Sequence, residues 1–285
     1  MSIHKSVFVT GGTGNIGSAI VRELVTHGYQ VKVLCRNAKS ADKAGQLGAT
    51  AVTGSLTEPQ SWLSELTSCD AFIHTACTFD DNMGEVDATL MQAVAEYALT
   101  RTAPLILVYT AGCWAYGSHD AVITETTPKH SVADFQWMLD NIAWLSDKEN
   151  IDLRVVSPVN VVCEEEHYLP PILSWEIERC GHPVLPADET QTWPLVERTN
   201  LAELYRLVLE RGKQGEEYIG SAEPSAPLAS LLQTLSERPI VCRQAAQWAQ
   251  IYGTWTEGYA LRQVFSSDKA ICELGWQPRP FLNLG

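Results

Sequence analysis

Gly11, Gly14 and Gly17 stand three apart in Thr10-Gly11-Gly12-Thr13-Gly14-Asn15-Ile16-Gly17, and read from Gly12 the same run is GxGxxG. A pyrophosphate can be held only where backbone N–H groups converge and no Cβ blocks the approach. The three glycines remove those Cβ atoms at the turn, at the phosphate and at the helix–sheet contact in that order, and a helix N-terminus adds partial positive charge. Thr13, Asn15 and Ile16 complete the cradle. A second chemical signal is Arg36-Asn37, at the end of the next apolar run. An NAD site wants a carboxylate there for the ribose hydroxyls, whereas an NADP site wants a guanidinium for the 2′-phosphate. With no acid beside it, Arg36 reads as favouring NADP(H) over NAD(H), by stacking on the adenine or pairing with the phosphate. Cys113 would be a nucleophile only in an electropositive niche, and with no cation near it in sequence it reads as a buried thiol.

The elements that must position these residues are legible from apolar periodicity. Residues 6–9 form a strand pattern before the glycine run, and an apolar-periodic helix pattern follows it. Further apolar or β-branched runs at 31–34, 51–53, 71–74, 105–109 and 153–156 alternate with helical segments, which predicts parallel strands with crossover helices. Pro59 sits in the first turn of one segment, and His27-Gly28 ends another. After Cys163 the alternation gives way to Pro- and Trp-containing loops, with helices predicted at 201–211, 228–236 and 266–274. The expected fold is α/β, a doubly wound parallel Rossmann-type sheet over 1–162. Residues 163–285 are expected to form mostly a substrate-binding cap, with some segments returning to the core.

Composition bounds the partners. The chain has 285 residues, 45% of them hydrophobic, enough to bury a full core. A net charge of −14 argues against nucleic acid or an anionic membrane as partners, because phosphate contacts need a basic face. No apolar run approaches membrane-spanning length, and the first residues lack a signal pattern, so a cytoplasmic protein is expected. The eight cysteines form no CxxC pair and the seven histidines are scattered, which reads as reduced core thiols and no metal site. The acidic run Glu164-Glu165-Glu166 reads as a solvated loop that disfavours an anionic substrate.

Taken together, the glycine run, Val33-Leu34-Cys35-Arg36-Asn37, Val52-Thr53-Gly54-Ser55-Leu56, Ile73-His74-Thr75-Ala76 and Tyr109-Thr110-Ala111-Gly112 make a pattern that resembles the extended and atypical short-chain dehydrogenase/reductases. That superfamily includes NAD-dependent epimerase/dehydratase and NmrA-like proteins. Trp193-Pro194-Leu195-Val196, Asn200-Leu201-Ala202-Glu203-Leu204 and Leu274-Gly275-Trp276-Gln277-Pro278 extend the resemblance over nearly the whole chain. It implies that Ser55, Leu56, Thr75 and Ala76 flank adenine and ribose, with Ser55 standing where an aspartate is usual. Thr110, Pro158 and Asn160 are implied on the nicotinamide side. A substrate cleft is implied near Cys113, Trp114, Trp137, Trp175, Trp193 and Arg198, where the tryptophans could make a flat apolar pocket. A symmetric homodimer is implied by the same analogy.

Reductases of this superfamily protonate the substrate oxygen with a tyrosine, lower that tyrosine's pKa with a lysine four residues later, and orient the substrate with a serine or threonine. Between Tyr116 and Tyr168 this chain has no tyrosine, and its lysines there are Lys129 and Lys148, one before the helix of 134–146 and one near its end. Ala111-Gly112-Cys113 occupies the serine position. His130 and Tyr116 are the candidates for a replacement acid. Three functions stay open: an NADP(H)-dependent oxidoreductase acting on a small carbonyl or hydroxyl compound, a non-redox isomerase, cyclase or lyase, and an NADP(H)-sensing regulatory protein. The first is favoured, because a retained cofactor site beside an open cleft most often means hydride chemistry.

Overall fold

The computed structural model describes residues 5–163, 170–233 and 236–280. In chain order its first half comprises β1 (Ser6–Thr10), α1 (Asn15–Thr26), β2 (Gln30–Cys35), α2 (Ala38–Gln46), β3 (Thr50–Thr53), β4 (Ala71–His74), α3 (Met83–Ala98), β5 (Leu105–Thr110), α4 (Gln136–Ser146) and β6 (Ile151–Pro158). The second half adds β7 (Asn160–Val162), α5 (Pro171–Cys180), β8 (Val184–Leu185), β9 (Thr192–Glu197), α6 (Arg198–Arg211), β10 (Glu217–Gly220), β11 (Glu223–Pro227), α7 (Leu228–Gln233), β12 (Val241–Cys242) and α8 (Ala245–Tyr252).

Seven of these strands form one parallel sheet in the order β10-β6-β5-β4-β1-β2-β3. Such a sheet is covered on both faces, so its strands are apolar on both. Val7, Val9, Val33 and Val108 pack toward α1, α2 and α6, while Phe8, Phe72, Leu107 and Leu153 pack toward α3 and α4. The order in which strands are added reverses between β1 and β4, the switch point at which doubly wound sheets open a crevice beyond their strand ends. The glycine turn and the ends of β4 and β5 meet there.

Residues after 162 contribute to both layers. β10 pairs with β6 as the seventh strand, and α6 packs on α1, held by Arg206 donating to Glu23 at 2.7 Å. The rest builds a cap with its own core of Trp193, Leu195, Leu231 and Trp248, around the three-stranded sheet β11-β9-β7. Buried Gln263 fastens the late chain to the sheet, donating to the carbonyls of Cys113 (2.7 Å) and Gly117 (2.8 Å), and Ile123 pairs with Phe265 in an isolated bridge.

Two local expectations change. The segment opened by Pro59 winds as two 3-10 turns, Pro59–Ser61 and Leu63–Ser68, because Trp62 between them leaves helical geometry (φ −135°) to stack on Phe8 and donate to the Ser55 carbonyl. Residues 270–274 form a single π turn closed by Gly275 in the left-handed region. The acidic run 164–166 lies outside the described residues. No helix among the described residues is long and apolar enough to cross a membrane.

Candidate functional site

β1 ends at Thr10 and the chain turns on Gly11, whose φ of +73° suits glycine. A Cβ there would come within 2.7 Å of the Thr75 backbone, so the turn rests directly on the end of β4. Gly14 donates to the Gly11 carbonyl at 2.8 Å and caps α1 with no side chain in the way. Gly17 is pressed against the turn itself, since its Cβ would lie 2.2 Å from the Gly11 oxygen. The tight contact with the sheet falls instead to Gly12, whose Cβ would reach Val33 at 2.8 Å. No acid stands in the first turn of α1, and the backbone at Asn15, Ile16 and Gly17 lines the cleft, so the helix start presents positive partial charge to it.

That cleft encloses about 780 Å³ and runs from α2 across the glycine turn to the cap. At its first end Asn37 is spent as a helix cap: its side-chain oxygen accepts from the Ser40 N–H at 2.9 Å, and its own N–H donates to the Ser40 hydroxyl. Arg36 is exposed at the rim, with no acid in the first turn of α2 to claim it. Ser55 and Leu56 line the adjoining wall, where the Ser55 hydroxyl accepts from the Thr57 N–H. Thr75 donates to the Thr10 carbonyl at 2.8 Å, fixing the strand ends beneath Ala76. Thr110, Pro158 and Asn160 line the middle, with Thr110 sharing a 2.8 Å hydrogen bond with Tyr205.

The far end is aromatic. Trp114, Phe135, Trp137, Met138 and Tyr259 line it, with Trp114 edge-on to Tyr259 at 4.8 Å. Two glycines admit the two indoles. A Cβ at Gly258 would fall 2.3 Å from the Trp114 ring, and one at Gly84 would fall 2.9 Å from Trp137, whose ring N–H donates to the Asp134 carbonyl. Gly84→Ala is therefore expected to tilt Trp137 and cost about 1–3 kcal/mol, the usual range for overpacking, as read by urea denaturation. An unchanged midpoint would mean that the indole is free to move. Phe79 overhangs the mouth, 82% exposed with φ +55°, a conformation costing a bulky residue about 1–2 kcal/mol.

The floor holds a network that sequence reasoning missed. His74 Nε2–H donates to Asp87 Oδ1 at 2.6 Å, and His74 Nδ1 meets the Thr10 hydroxyl at 2.7 Å. Tyr109 (2.7 Å) and Asn141 (2.8 Å) both donate to Asp87 Oδ2. Burial alone would raise the Asp87 pKa, but the charge and hydrogen bond of His74, with the bonds from Tyr109 and Asn141, outweigh it and hold the carboxyl below its ordinary value. Burial and the neighbouring carboxylate push Tyr109 well above an ordinary phenol. Gly84 with Trp137, and Asp87 with Asn141 one turn further along, are successive contacts between α3 and α4. On the side of α4 that faces α3, Trp137 and Asn141 thus stand four residues apart, the spacing that a tyrosine–lysine pair would have.

Several expected site residues lie elsewhere. Tyr116 is fully buried and turned away from the cleft, donating to Glu217 at 2.7 Å; burial and that carboxylate raise its pKa far above the ordinary value. His130 is exposed on the opposite side of Gly117, its ring 5.9 Å from His119, and does not line the cleft. Trp193 is buried behind Tyr259, stacked on it at 5.1 Å and donating to its carbonyl, because its strand turns that side chain into the cap core. Trp175 lies on the outside of α5 against Tyr252, and Arg198 is buried beside α1, donating to Asn15 at 3.2 Å. Cys113 does line the cleft, but complete burial pushes its thiol up to about 12, which makes it inert as a nucleophile near neutrality.

A glycine turn at the switch point of a seven-stranded parallel sheet, opening into a cleft roofed by a cap, defines a Rossmann-type dinucleotide-binding protein. Residues 7–219 match the NAD dependent epimerase/dehydratase family, and the chain belongs to that family. Nicotinamide dinucleotides are the family's cofactors. The chain is 26% identical over 280 residues to the uncharacterized protein C2A9.02 of Schizosaccharomyces pombe, covering 95% of this chain and 94% of that one. It is 30% identical over 143 residues to a sterol-4-alpha-carboxylate 3-dehydrogenase (decarboxylating) of Dictyostelium discoideum, 47% of this chain and 44% of that one. Its fold matches dTDP-glucose 4,6-dehydratase DesIV of Streptomyces venezuelae, solved with NAD bound, with a TM-score of 0.77 at 20% identity, covering 96% and 92% of the two chains.

Proposed function

We propose that the protein is an NADP(H)-dependent oxidoreductase that acts on a small carbonyl or hydroxyl compound without the usual tyrosine–lysine pair. The observation that supports this reading best is the continuity of the cleft, with Arg36 and Ser40 at one end, the glycine turn between, and Trp137 and Tyr259 at the other. A dinucleotide and a second small molecule would share one space. The cradle fits the cofactor's phosphates, because Gly14 leaves the cleft beside the turn free of a Cβ and the helix start is uncapped by any side chain. When bound, the reduced dinucleotide supplies hydride.

The chain's own contribution on this reading is binding and orientation, which can carry several kcal/mol of a barrier. Thr75 and Thr110 fix the strand ends, and Trp137 bounds the reacting end. Tyr116 and His130 both stand outside the cleft, so neither hands a proton to a substrate held there. All eight cysteines are free thiols, which fits a reducing cytoplasmic setting.

Calorimetric titration of the nucleotide-free protein with NADPH, NADP⁺, NADH and NAD⁺ tests the proposal, with micromolar or tighter NADPH binding expected. Arg36→Ala is expected to weaken NADPH by about tenfold or more, the loss of one charge-assisted contact, and to leave NADH unchanged. Equal loss for both would remove Arg36 from the phosphate site, and failure of all four nucleotides to bind would overturn the reading.

A further inference from the structure

Among the described residues lining the cleft, Phe79 is the exposed aromatic ring, 82% open to solvent, whereas Trp114, Phe135, Trp137 and Tyr259 are buried or half-buried. Its backbone sits at φ +55°, where a bulky side chain is strained. Hydrogen bonds of the turn hold it there. Asp80 Oδ1 accepts from the Thr78 hydroxyl at 2.9 Å and from the Asn82 N–H at 3.0 Å, and the Asp80 carbonyl accepts from the Met83 N–H at 3.1 Å. The same turn runs straight into the start of α3, where Gly84 makes room for Trp137, so Phe79 and Trp137 stand on one rim. Asp134 ties that rim to the wall beyond: its carbonyl takes the Trp137 ring N–H at 3.0 Å, and its carboxylate takes the Thr254 hydroxyl at 2.7 Å, one turn before Gly258 and Tyr259. A single exposed phenylalanine means little. One that is exposed, strained and set at the mouth of an aromatic-walled cavity is explained when a ligand covers it.

Resting on the oxidoreductase reading above, we propose that the far end of the cleft takes the aryl ring of a carbonyl or hydroxyl substrate, and that Phe79 covers that ring and sets the preference for it. An aryl ring has a negative face and a positive edge, so it gains from lying offset or edge-on against the rings of Trp137, Trp114 and Phe79, beyond the area it buries. A saturated ring of the same carbon count is thicker and has no such faces. Transfer from water alone does not disfavour it, because it carries at least as much apolar surface. The two rings are therefore told apart by aromatic contact, and Phe79 is the contact that the protein leaves uncovered for the purpose.

The probes are 4-phenylbutan-2-one and 4-cyclohexylbutan-2-one. A two-carbon spacer separates ring from carbonyl in each, so the carbonyls are alike and a difference in affinity belongs to the ring. In equilibrium dialysis against the full chain saturated with NADP⁺, the phenyl ketone is expected to bind about tenfold more tightly than the cyclohexyl ketone. Phe79→Ala is expected to bring the two within about twofold by weakening the phenyl ketone, with NADP⁺ affinity unchanged, and Phe79→Tyr, which keeps the ring, is expected to restore the preference. The exposure of Phe79 makes the alanine variant a mild one for folding, and the wild-type comparison stands without it. Equal affinity of wild type for the two ketones, or binding of neither, overturns the aryl assignment while nucleotide binding survives. A full preference retained in Phe79→Ala overturns the role of Phe79, as does a loss of NADP⁺ affinity in its place, which would set that ring over the dinucleotide. Failure of the nucleotides to bind overturns the oxidoreductase reading instead, and dialysis of both ketones without nucleotide then decides the aryl site by itself.

Discussion

Asp87→Ala is expected to lower the unfolding free energy by about 3–5 kcal/mol, the range for breaking a buried charged pair. It strands the Tyr109 hydroxyl, the Asn141 amide and the inner nitrogen of His74 in a site that is 5% exposed. Asp87→Asn is expected to cost only about 1 kcal/mol, the net worth of an ordinary hydrogen bond. The new amide oxygen can accept from Tyr109 and Asn141, and its NH₂ can donate to His74 Nε2 once the imidazole is neutral, with its one proton on Nδ1 pointing at Thr10. Acid should narrow the gap between wild type and Asp87→Asn. The Asp87 carboxyl is depressed in the folded state, so its stabilisation is complete above the unfolded value of about 3.9 and fades as pH falls below it. Urea denaturation from neutral pH to about pH 3 reads both effects; an alanine variant as stable as wild type would show that the network holds nothing together.

Gly17→Ala and Gly14→Ala should separate the fold's use of the glycine turn from the cofactor's. A methyl group at position 17 meets the Gly11 oxygen at 2.2 Å and the Gly11 carbonyl carbon at 2.7 Å, backbone that cannot swing aside. The start of α1 must move, and a stability loss of about 2–3 kcal/mol with at least about 100-fold weaker NADPH binding is expected. At position 14 the methyl has one near neighbour, the Gly11 oxygen at 3.1 Å, and otherwise projects into the cleft. Stability should change by less than about 1 kcal/mol while NADPH binding falls by a similar large factor. Wild-type affinity in both variants would show that the pyrophosphate does not lie on this turn.

The parallel sheet was readable because strands covered on both faces must be apolar along their length, and five of the seven appear as such runs in the sequence, while the exposed edge strand Thr50–Thr53 is marked by its β-branched residues. The seventh, Glu217–Gly220, is only four residues long and opens on a glutamate, so nothing local marks it. The dinucleotide half of the cleft was equally readable, since its parts follow strand ends in order. The far half was not. Tyr259 and Phe135 reach it by tertiary folding from segments with no motif, and Trp193 and Trp175 carry the same chemistry but belong to the cap core and its outer surface. His74 and Tyr109 sat inside quoted motifs, yet their meaning depends on Asp87 and Asn141, which approach from two other helices.

The strap through Gln263 and Phe265 fixes an order of events during synthesis. The glycine turn and its first four parallel strands come from residues 6–74, and could begin to pair early on the ribosome. The aromatic wall needs Gly258 beneath Trp114 and Gln263 bonded to the carbonyls of Cys113 and Gly117, contacts that close about 150 residues of chain. Until the last quarter of the polypeptide has emerged, the nascent protein has a glycine turn and an open, apolar gap where Trp114 has Phe135 on one side but lacks Trp255, Gly258 and Tyr259. Over that interval the unfinished chain exposes apolar surface of the kind that aggregates, and a translational pause after residue 120 would lengthen it.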